Sequence, residues 1–514
     1  MPDNILAAID IGTNSFHLVI ASVNDEGIVK IISKDKEVVR LGKSSSDMKY
    51  ISLEAMERGV SALKRFKIIC DSYNAEIRAV ATSATREALN KEEFLNEVGR
   101  KTGISIEVIS GYEEARLIYL GVLQALDVFE KRILLIDIGG GSTEFLTGEK
   151  GNVVYSNSIK LGAVRLTEKF FSEGKFSKDS IESAKLHVRS IINPIVRNLK
   201  TEQYDFVVGT SGTISNLGSI IYSRNAGEDY SQFNFNNFSY TDTELFDAVK
   251  SILSHESVST IRKIEGLDSQ RADIISAGAI ILEQIFRELN LKRLSLSSYA
   301  LREGILFDTI DKRHNTLQSG DIKNIRYRSV LNLAKHCRFD EKHCRKIIEL
   351  ALPIFNSLKE KFNLPGEDLD LLEAAIFLHD IGHSISHSQH HRHSYYLIKN
   401  SELLGFNNEE IDIIANIARY HRKSHPKAKH IEYNKLSPGN KEKVRMLAGI
   451  LRIADGLDRG HNSVVESIDI SIGEKTFHIK VKPCGGKDPI LEVWGANMRK
   501  ELFEEAFGYS ILIN

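Results

Sequence analysis

The chain has 514 residues, 42% hydrophobic and 27% charged, with a formal net charge of -1; this is too long for a single hydrophobic core and reads as about three or four domains of an ordinary globular protein. The near-neutral balance excludes a global field that would draw in a polyanion, so any such ligand must be captured by local basic pockets. Cys70, Cys337, Cys344 and Cys484 lack CxxC spacing, the first apolar run is cut at Asp10, and no long uncharged apolar stretch follows. The expectation is therefore a cytoplasmic protein with no signal peptide and no transmembrane segment.

In chain order, Ile5–Ile20 (ILAAIDIGTNSFHLVI) predicts a β-hairpin: an apolar strand with Asp10 at its end, a turn of Gly12, Thr13, Asn14 and Ser15, then a second apolar strand. After an amphipathic helix (SLEAMERGVSALKRFKIICDSY), ATSATREALN places Thr82, Ser83, Thr85 and Arg86 just behind a short strand, and ISGYEEARLIYL places Glu113 and Glu114 at a helix start. Ile133–Leu146 (ILLIDIGGGSTEFL) repeats the first hairpin around a shared IDIG, with Asp137 in the place of Asp10. YDFVVGTSGTISNLGSII then runs from a strand through Gly209, Ser211, Gly212 and Thr213 into a helix. Strands near residues 5, 18, 38, 77, 106, 134, 153 and 206 alternate with helices. This predicts α/β layers in two related halves, a boundary near Asp127–Lys131 and a ligand cleft between the halves.

The turns have a common chemistry. Glycines let the backbone approach an anion, N–H groups converge on its oxygens, and Ser or Thr hydroxyls add donors. Carboxylates beside such turns would repel phosphate unless a divalent cation intervened, so Asp137 and Glu144 point to Mg²⁺. Each feature also has a plainer explanation: glycines simply permit tight hairpins, Glu113 and Glu114 favour a helix dipole, and Arg86 is a surface charge.

From about Asp321 the strand patterns give way to helical ones, as in RKIIELALPIFNSLKEKF and LLEAAIFLHDIGHSI. Nine of the 17 histidines fall between His379 and His430, a concentration that suggests metal or phosphate binding. Spacing alone selects His379 and His383, one helical turn apart, as a zinc-like pair. ARYHRKSHPKAKH adds Arg419, Arg422, Lys423, Lys427 and Lys429, either a solvated basic loop or a path for an extended polyanion. The tail reads as alternating strands, one helix and a last strand, a small α/β subdomain.

Taken together, AAIDIGTNSFHLVI, ATSATREALN, ISGYEEARLIYLGV, LLIDIGGGSTEF, VVGTSGT and YALREGIL, in this order, resemble the exopolyphosphatase and guanosine pentaphosphate phosphohydrolase family over roughly Ile5 to Phe307. The resemblance implies an α/β fold of two actin-like (ribonuclease H-like) domains, 1–127 and 128–310, followed by an all-helical HD-type domain at 311–465 and a small α/β subdomain at 466–514. It implies Mg²⁺-dependent release of terminal orthophosphate from inorganic polyphosphate or guanosine pentaphosphate. Glu114 corresponds to the family's catalytic base and Arg86 to an arginine near phosphate oxygens. Asp137 and Glu144 correspond to the acids that organise Mg²⁺, and Gly12, Thr13, Asn14, Ser15, Gly139, Gly140, Gly141, Ser142, Thr143, Gly209, Ser211, Gly212 and Thr213 to the phosphate cradle. LHDIGH resembles an HD phosphohydrolase motif, which implies a second metal site at His343, His379, Asp380 and Asp455, with His393 and His421 in the places of extra ligands, for Mn, Fe or Zn. A homodimer is implied, with no sequence-specific nucleic acid partner. The alternatives are an added nucleotide phosphohydrolase activity at the HD-type domain, an actin-like kinase or ATPase, or a binding protein without turnover.

Overall fold

A computed structural model describes residues 4–24, 29–42, 49–226, 233–314, 325–401 and 403–514. The chain forms two compact units, Met1–Ile325 and Arg326–Asn514.

The first unit contains the same topology twice. In one sheet β1 (Asn4–Ile11), β2 (Ser15–Val23) and β3 (Val29–Val38) form an antiparallel meander, and β4 (Glu76–Ala81) and β5 (Ile106–Val108) add in parallel beyond β1. In the other, β6 (Ile133–Ile138), β7 (Thr143–Glu149) and β8 (Asn152–Ile159) form the meander. There β9 (Phe206–Thr210) and β11 (Arg293–Leu296) add in parallel beyond β6, and β10 (Ser239–Thr241) is an antiparallel edge. Both IDIG hairpins thus form as the alternation of apolar strand, glycine turn and apolar strand predicts. The parallel additions need helical crossovers, and those helices cover the sheet faces. Accordingly β6, ILLIDI, is buried at every position, because a central strand covered on both faces must be apolar on both.

Helices Gly111–Leu123 and Leu301–His314 cross with their backbones in contact. A Cβ on Gly304 would stand 1.8 Å from the Leu117 carbonyl oxygen, so only glycine permits the crossing. This contact fixes the helix that carries Glu114 against the one that carries Arg302. The second of these helices also packs on β1 and β2.

The second unit is mainly helical, with helices Glu341–Leu358, Gly366–Leu378, His390–Lys399, Asn408–Tyr420 and Pro438–Gly456 around one apolar core. A three-stranded sheet of β12 (Val465–Ile472), β13 (Thr476–Pro483) and β14 (Ser510–Ile513) completes it. Where the tail pattern predicts one helix there are two, Ile490–Asn497 and Glu501–Phe507. The Asn497 side-chain amide donates to the Val493 and Ile513 carbonyls, tying the break to β14. The break carries Arg499 to an ion pair with Asp455.

Candidate active site

The two IDIG turns close in the same way. Gly12 N–H donates to the Ser15 carbonyl (3.2 Å), and Gly139 N–H donates to the Ser142 carbonyl (3.0 Å). A Cβ on Gly12 would lie 2.9 Å from that carbonyl, which explains the glycine. The turns abut: a Cβ on Gly140 would meet Thr13 Cβ at 3.1 Å. Thr13 Oγ1 in turn lies 2.8 Å from Ser83 Oγ, bringing the ATSATRE segment alongside. A third turn follows β9, where Ser211 adopts a left-handed φ of 70°. Its hydroxyl donates to both Asp137 oxygens at 2.8 Å, and the Thr210 hydroxyl donates there too. The first turn of helix Ser211–Ala226 faces the same cavity, so its N–H groups and dipole favour an anion there.

Four carboxyl groups converge on this region: Asp10, Glu114, Asp137 and Glu144, all buried or nearly so. Burial pushes Asp10 up to about 8, with further repulsion from Glu114 and Asp137 against the pull of Arg302. Burial raises Glu144 well above the carboxylate range and raises Asp137 against its two hydroxyl donors. Glu114 is raised to about 7 by burial, while Arg86 pulls it down. The Arg86 guanidinium donates to Glu114 at 2.9 Å and, with the same nitrogen, to the Ile109 carbonyl. Asp10 Oδ1 and Glu144 Oε2 are buried with no hydrogen-bond partner. Several desolvated acids with orphaned oxygens are expensive unless neutralised by protons or a cation, so the donor set fits a hard divalent ion.

The neighbouring glutamates divide the functions that the sequence leaves open. Ser110 caps helix Gly111–Leu123 by accepting from Glu113 N–H. Glu113 forms a half-buried pair with Arg116 at 2.8 Å and does not line the cavity, whereas Glu114 does. That cavity, of about 280 Å³, is lined by most of the predicted cradle: Gly12, Thr13, Asn14, Ser15, Gly139, Gly140, Ser142, Ser211, Gly212 and Thr213. Gly141, Thr143 and Gly209 do not line it. The Thr143 hydroxyl donates to the Leu161 carbonyl, the Gly141 carbonyl accepts from Arg165, and Gly209 packs beneath Ile214 and Leu294. Residues outside the predicted cradle also line it: Asp10, Lys36, Arg271 and Arg302. Arg302 lies inside the quoted YALREGIL segment. Arg271 has no local signal, and its guanidinium fills the space above Gly212.

The second unit gathers a separate cluster. His343, His379 and Asp455 place ligand atoms within 4.8 Å of one another, and so do Asp380, His383 and His390. His390 Nε2 and His421 Nε2 stand 3.1 and 3.5 Å from Asp380 Oδ1. His379 and His421 use Nδ1 on the Ile376 and Ala418 carbonyls, which turns each Nε2 inward, the arrangement that orients metal-binding imidazoles. His343 Nδ1 is held by Asp458 at 2.7 Å. His343 Nε2 and His379 Nε2 are buried with no hydrogen-bond partner. One expectation is corrected: the residue of HHRHSYYLI that meets Asp380 is His390, while His393, three positions along helix His390–Lys399, belongs to neither triad among the described residues. The αL conformation of Gln389 starts that helix so that His390 points at Asp380.

The comparisons with known proteins bear on the whole of this architecture. Residues 19–313 match the Ppx/GppA phosphatase family, and residues 325–487 match Ppx/GppA phosphatase, domain III. The chain belongs to the Ppx/GppA phosphatase family. It is similar to an exopolyphosphatase from Cytophaga hutchinsonii, at 26% identity and a TM-score of 0.56, over 60% of this chain and 98% of that one. It is also similar to an Aquifex aeolicus member of the Ppx/GppA family, at 28% identity and a TM-score of 0.51, over 61% and 99%. Among the described residues no helix is long and apolar enough to cross a membrane.

Proposed function

We propose that the first unit hydrolyses phosphoanhydrides, releasing terminal orthophosphate from inorganic polyphosphate, guanosine pentaphosphate or both. The observation that carries this reading is Glu114: a buried carboxyl, raised to about 7 and held by Arg86, on the wall of a cavity that three glycine turns, their hydroxyls and the cations Lys36, Arg271 and Arg302 also line. Phosphoryl transfer asks mainly for positioning and charge stabilisation. The N–H groups and hydroxyls of Gly12–Ser15, Gly139–Ser142 and Ser211–Thr213 would hold the terminal phosphates. Glu114 would accept a proton from the attacking water, with Arg86 fixing the direction of its carboxylate. Asp137, Glu144 and Asp10 would hold Mg²⁺, which when bound supplies charge neutralisation at the attacked phosphate.

Glu114→Gln is expected to reduce orthophosphate release by about 10²- to 10⁴-fold with substrate binding retained. Turnover near wild type would remove the base assignment. Comparing release from pure polyphosphate and pure guanosine pentaphosphate decides between the substrates. The family match and the exopolyphosphatase likeness support hydrolysis. The four free cysteines support a reducing, cytoplasmic setting.

A second proposal concerns the other unit: His343, His379, Asp380, His390, His421 and Asp455 hold Mn, Fe or Zn, as their convergent unpartnered atoms support. Metal analysis of the purified protein tests it. Absence of metal after loading, with His379→Ala leaving stability and activity unchanged, would refute it.

A further inference from the structure

Beside the histidine and aspartate cluster lies a second cavity of about 280 Å³, wholly within the second unit. Its walls include two of the segments that supply the cluster, those around His390 and His421. His390 and His421 face Asp380, while the adjacent His391 and Tyr420 line the cavity. Arg392, Arg419 and Lys423 also line it.

These three cations carry no ion pair among the described residues. Arg419 is held over the rings of Tyr395 and Tyr420, at 5.2 and 5.6 Å, so its charge is placed without being neutralised. Arg422, next in the same segment, has its guanidinium 3.2 Å from His390 Nε2, which ties the basic wall to the cluster. Converging cations with no anionic partner repel one another, a cost that an anion would relieve.

Two independent features indicate where such an anion would bind. Helix His390–Lys399 begins at this wall, and its N-cap Gln389 supplies no side-chain acceptor to the first turn. The positive end of the helix therefore faces the cavity uncapped. His391, only 7% exposed, lines the cavity and its buried Nδ1 has no hydrogen-bond partner. A buried imidazole nitrogen without a partner is unusual in a folded protein and suits a ligand that supplies one.

We propose that this cavity is a phosphoryl-anion site: Arg392, Arg419, Lys423, His391 and the first turn of helix His390–Lys399 bind the phosphate oxygens of a nucleotide or of an inorganic phosphate chain. The site is independent of the cleft in the first unit, and it stands whether or not Glu114 is the base there. Its place beside the cluster offers a bound phosphate to whatever the cluster holds. Guanidinium forks and an ammonium group suit nonbridging phosphate oxygens better than carboxylates do when three cations converge.

The test is equilibrium dialysis of inorganic pyrophosphate against full-length protein carrying Glu114→Gln, in which turnover at the cleft is suppressed. Adding Arg392→Ala and Lys423→Ala is expected to remove one bound pyrophosphate per chain, or to weaken that site about 100-fold, with the remaining binding unchanged. Both side chains are exposed, so the ligand-free melting temperature should not move, and this is measured alongside. Lys427→Ala with Lys429→Ala, charges in the same segment but off the cavity, should keep every site. An identical isotherm without Arg392 and Lys423, or an equal loss in the Lys427 and Lys429 control, would overturn the proposal. Guanosine 5′-diphosphate displacing the pyrophosphate lost in the double variant would identify a nucleotide phosphate as the ligand. Displacement by inorganic tripolyphosphate alone would identify an inorganic chain.

Discussion

Arg86, itself partly exposed, donates to the buried Glu114 at 2.9 Å and joins two separate segments of the chain. The pair sets two opposing effects on one carboxyl. Burial pushes Glu114 up, and the guanidinium pulls it back to about 7. A general base is most effective with its affinity near the working pH, so in the proposed reaction Arg86 would act through Glu114.

Removing the guanidinium should therefore raise Glu114 further. Fewer molecules would then carry the free carboxylate at neutral pH, and the acid limb of the kcat profile should move to higher pH in Arg86→Ala. A fall of about 10- to 100-fold at pH 7, recovering partly at higher pH, is expected. Arg86→Lys should keep part of the effect, since a lysine retains charge without the fork. A pH profile of unaltered midpoint would show that Arg86 does not tune this base.

Glu113 provides the contrast. It does not line the cavity and pairs with Arg116, both side chains being partly exposed. Such pairs are worth about 0–1 kcal/mol. Glu113→Gln should leave kcat within about twofold of wild type while Glu114→Gln loses most of it. Steady-state assays of the two variants side by side separate a helix-start charge from a cavity residue.

The helix crossing at Gly304 predicts a large stability effect from one methyl group. A Cβ there would stand 1.8 Å from the Leu117 carbonyl, so Gly304→Ala must force the helices apart. A loss of about 3 kcal/mol or more is expected from overpacking against backbone. Gly99, in helix Lys91–Thr102, has open space around its notional Cβ. Gly99→Ala should stabilise by roughly 0.5–1 kcal/mol through helix propensity and a less flexible unfolded chain. Urea midpoints of both variants test this opposition.

Asp308 predicts a dependence of stability on pH. Burial alone would raise it, but Lys312, Arg116 and Arg78 more than offset this and hold it at about 2. Because this lies below the unfolded value of about 3.9, the stabilisation is present above the unfolded value and is lost as pH falls toward 2. Asp308→Asn should lower the unfolding free energy by roughly 1–2 kcal/mol at pH 7, discounted for the exposure of Lys312, and have little effect near pH 2. Equal losses at both pH values would mean that packing, rather than charge, accounts for the effect.

In the second unit, Asp458 holds His343 Nδ1 at 2.7 Å and so directs Nε2 toward Asp455 and His379. Asp458→Asn should weaken binding of Mn²⁺ about 10- to 100-fold while leaving the helices intact. Calorimetric titration with the ion alone, with circular dichroism as the control, tests this. Burial lowers His343, but Asp455 and Asp458 raise it more, to about 9. Metal binding at neutral pH should therefore displace a proton and weaken as pH falls.

Much of the first unit was legible locally. A strand, a glycine turn and a second strand are set by near neighbours, so both IDIG hairpins and the strand-to-helix turn after β9 follow from residue order alone. The glycine in IDIG is required because the turn closes on Ser15, only three positions away, and a Cβ on Gly12 would stand 2.9 Å from the Ser15 carbonyl oxygen. The turn residues that line the cavity were therefore visible except where burial decided otherwise, as at Thr143, whose hydroxyl is spent on the Leu161 carbonyl.

Distant contacts decided the rest. Asp10 belongs among the acids because β1 and β6 bring their ends to one cavity, and Arg271 reaches Gly212 from a segment with no motif. His390 rather than His393 meets Asp380 because a left-handed Gln389 sets where the helix begins and so where its first side chain points. The amino-acid order by itself determined the turns, the repeat and the kinds of chemistry available. Only the tertiary structure decided which acids share a low-dielectric cleft and which cations share a cavity, because burial and charge coupling depend on distances between residues that the chain keeps far apart.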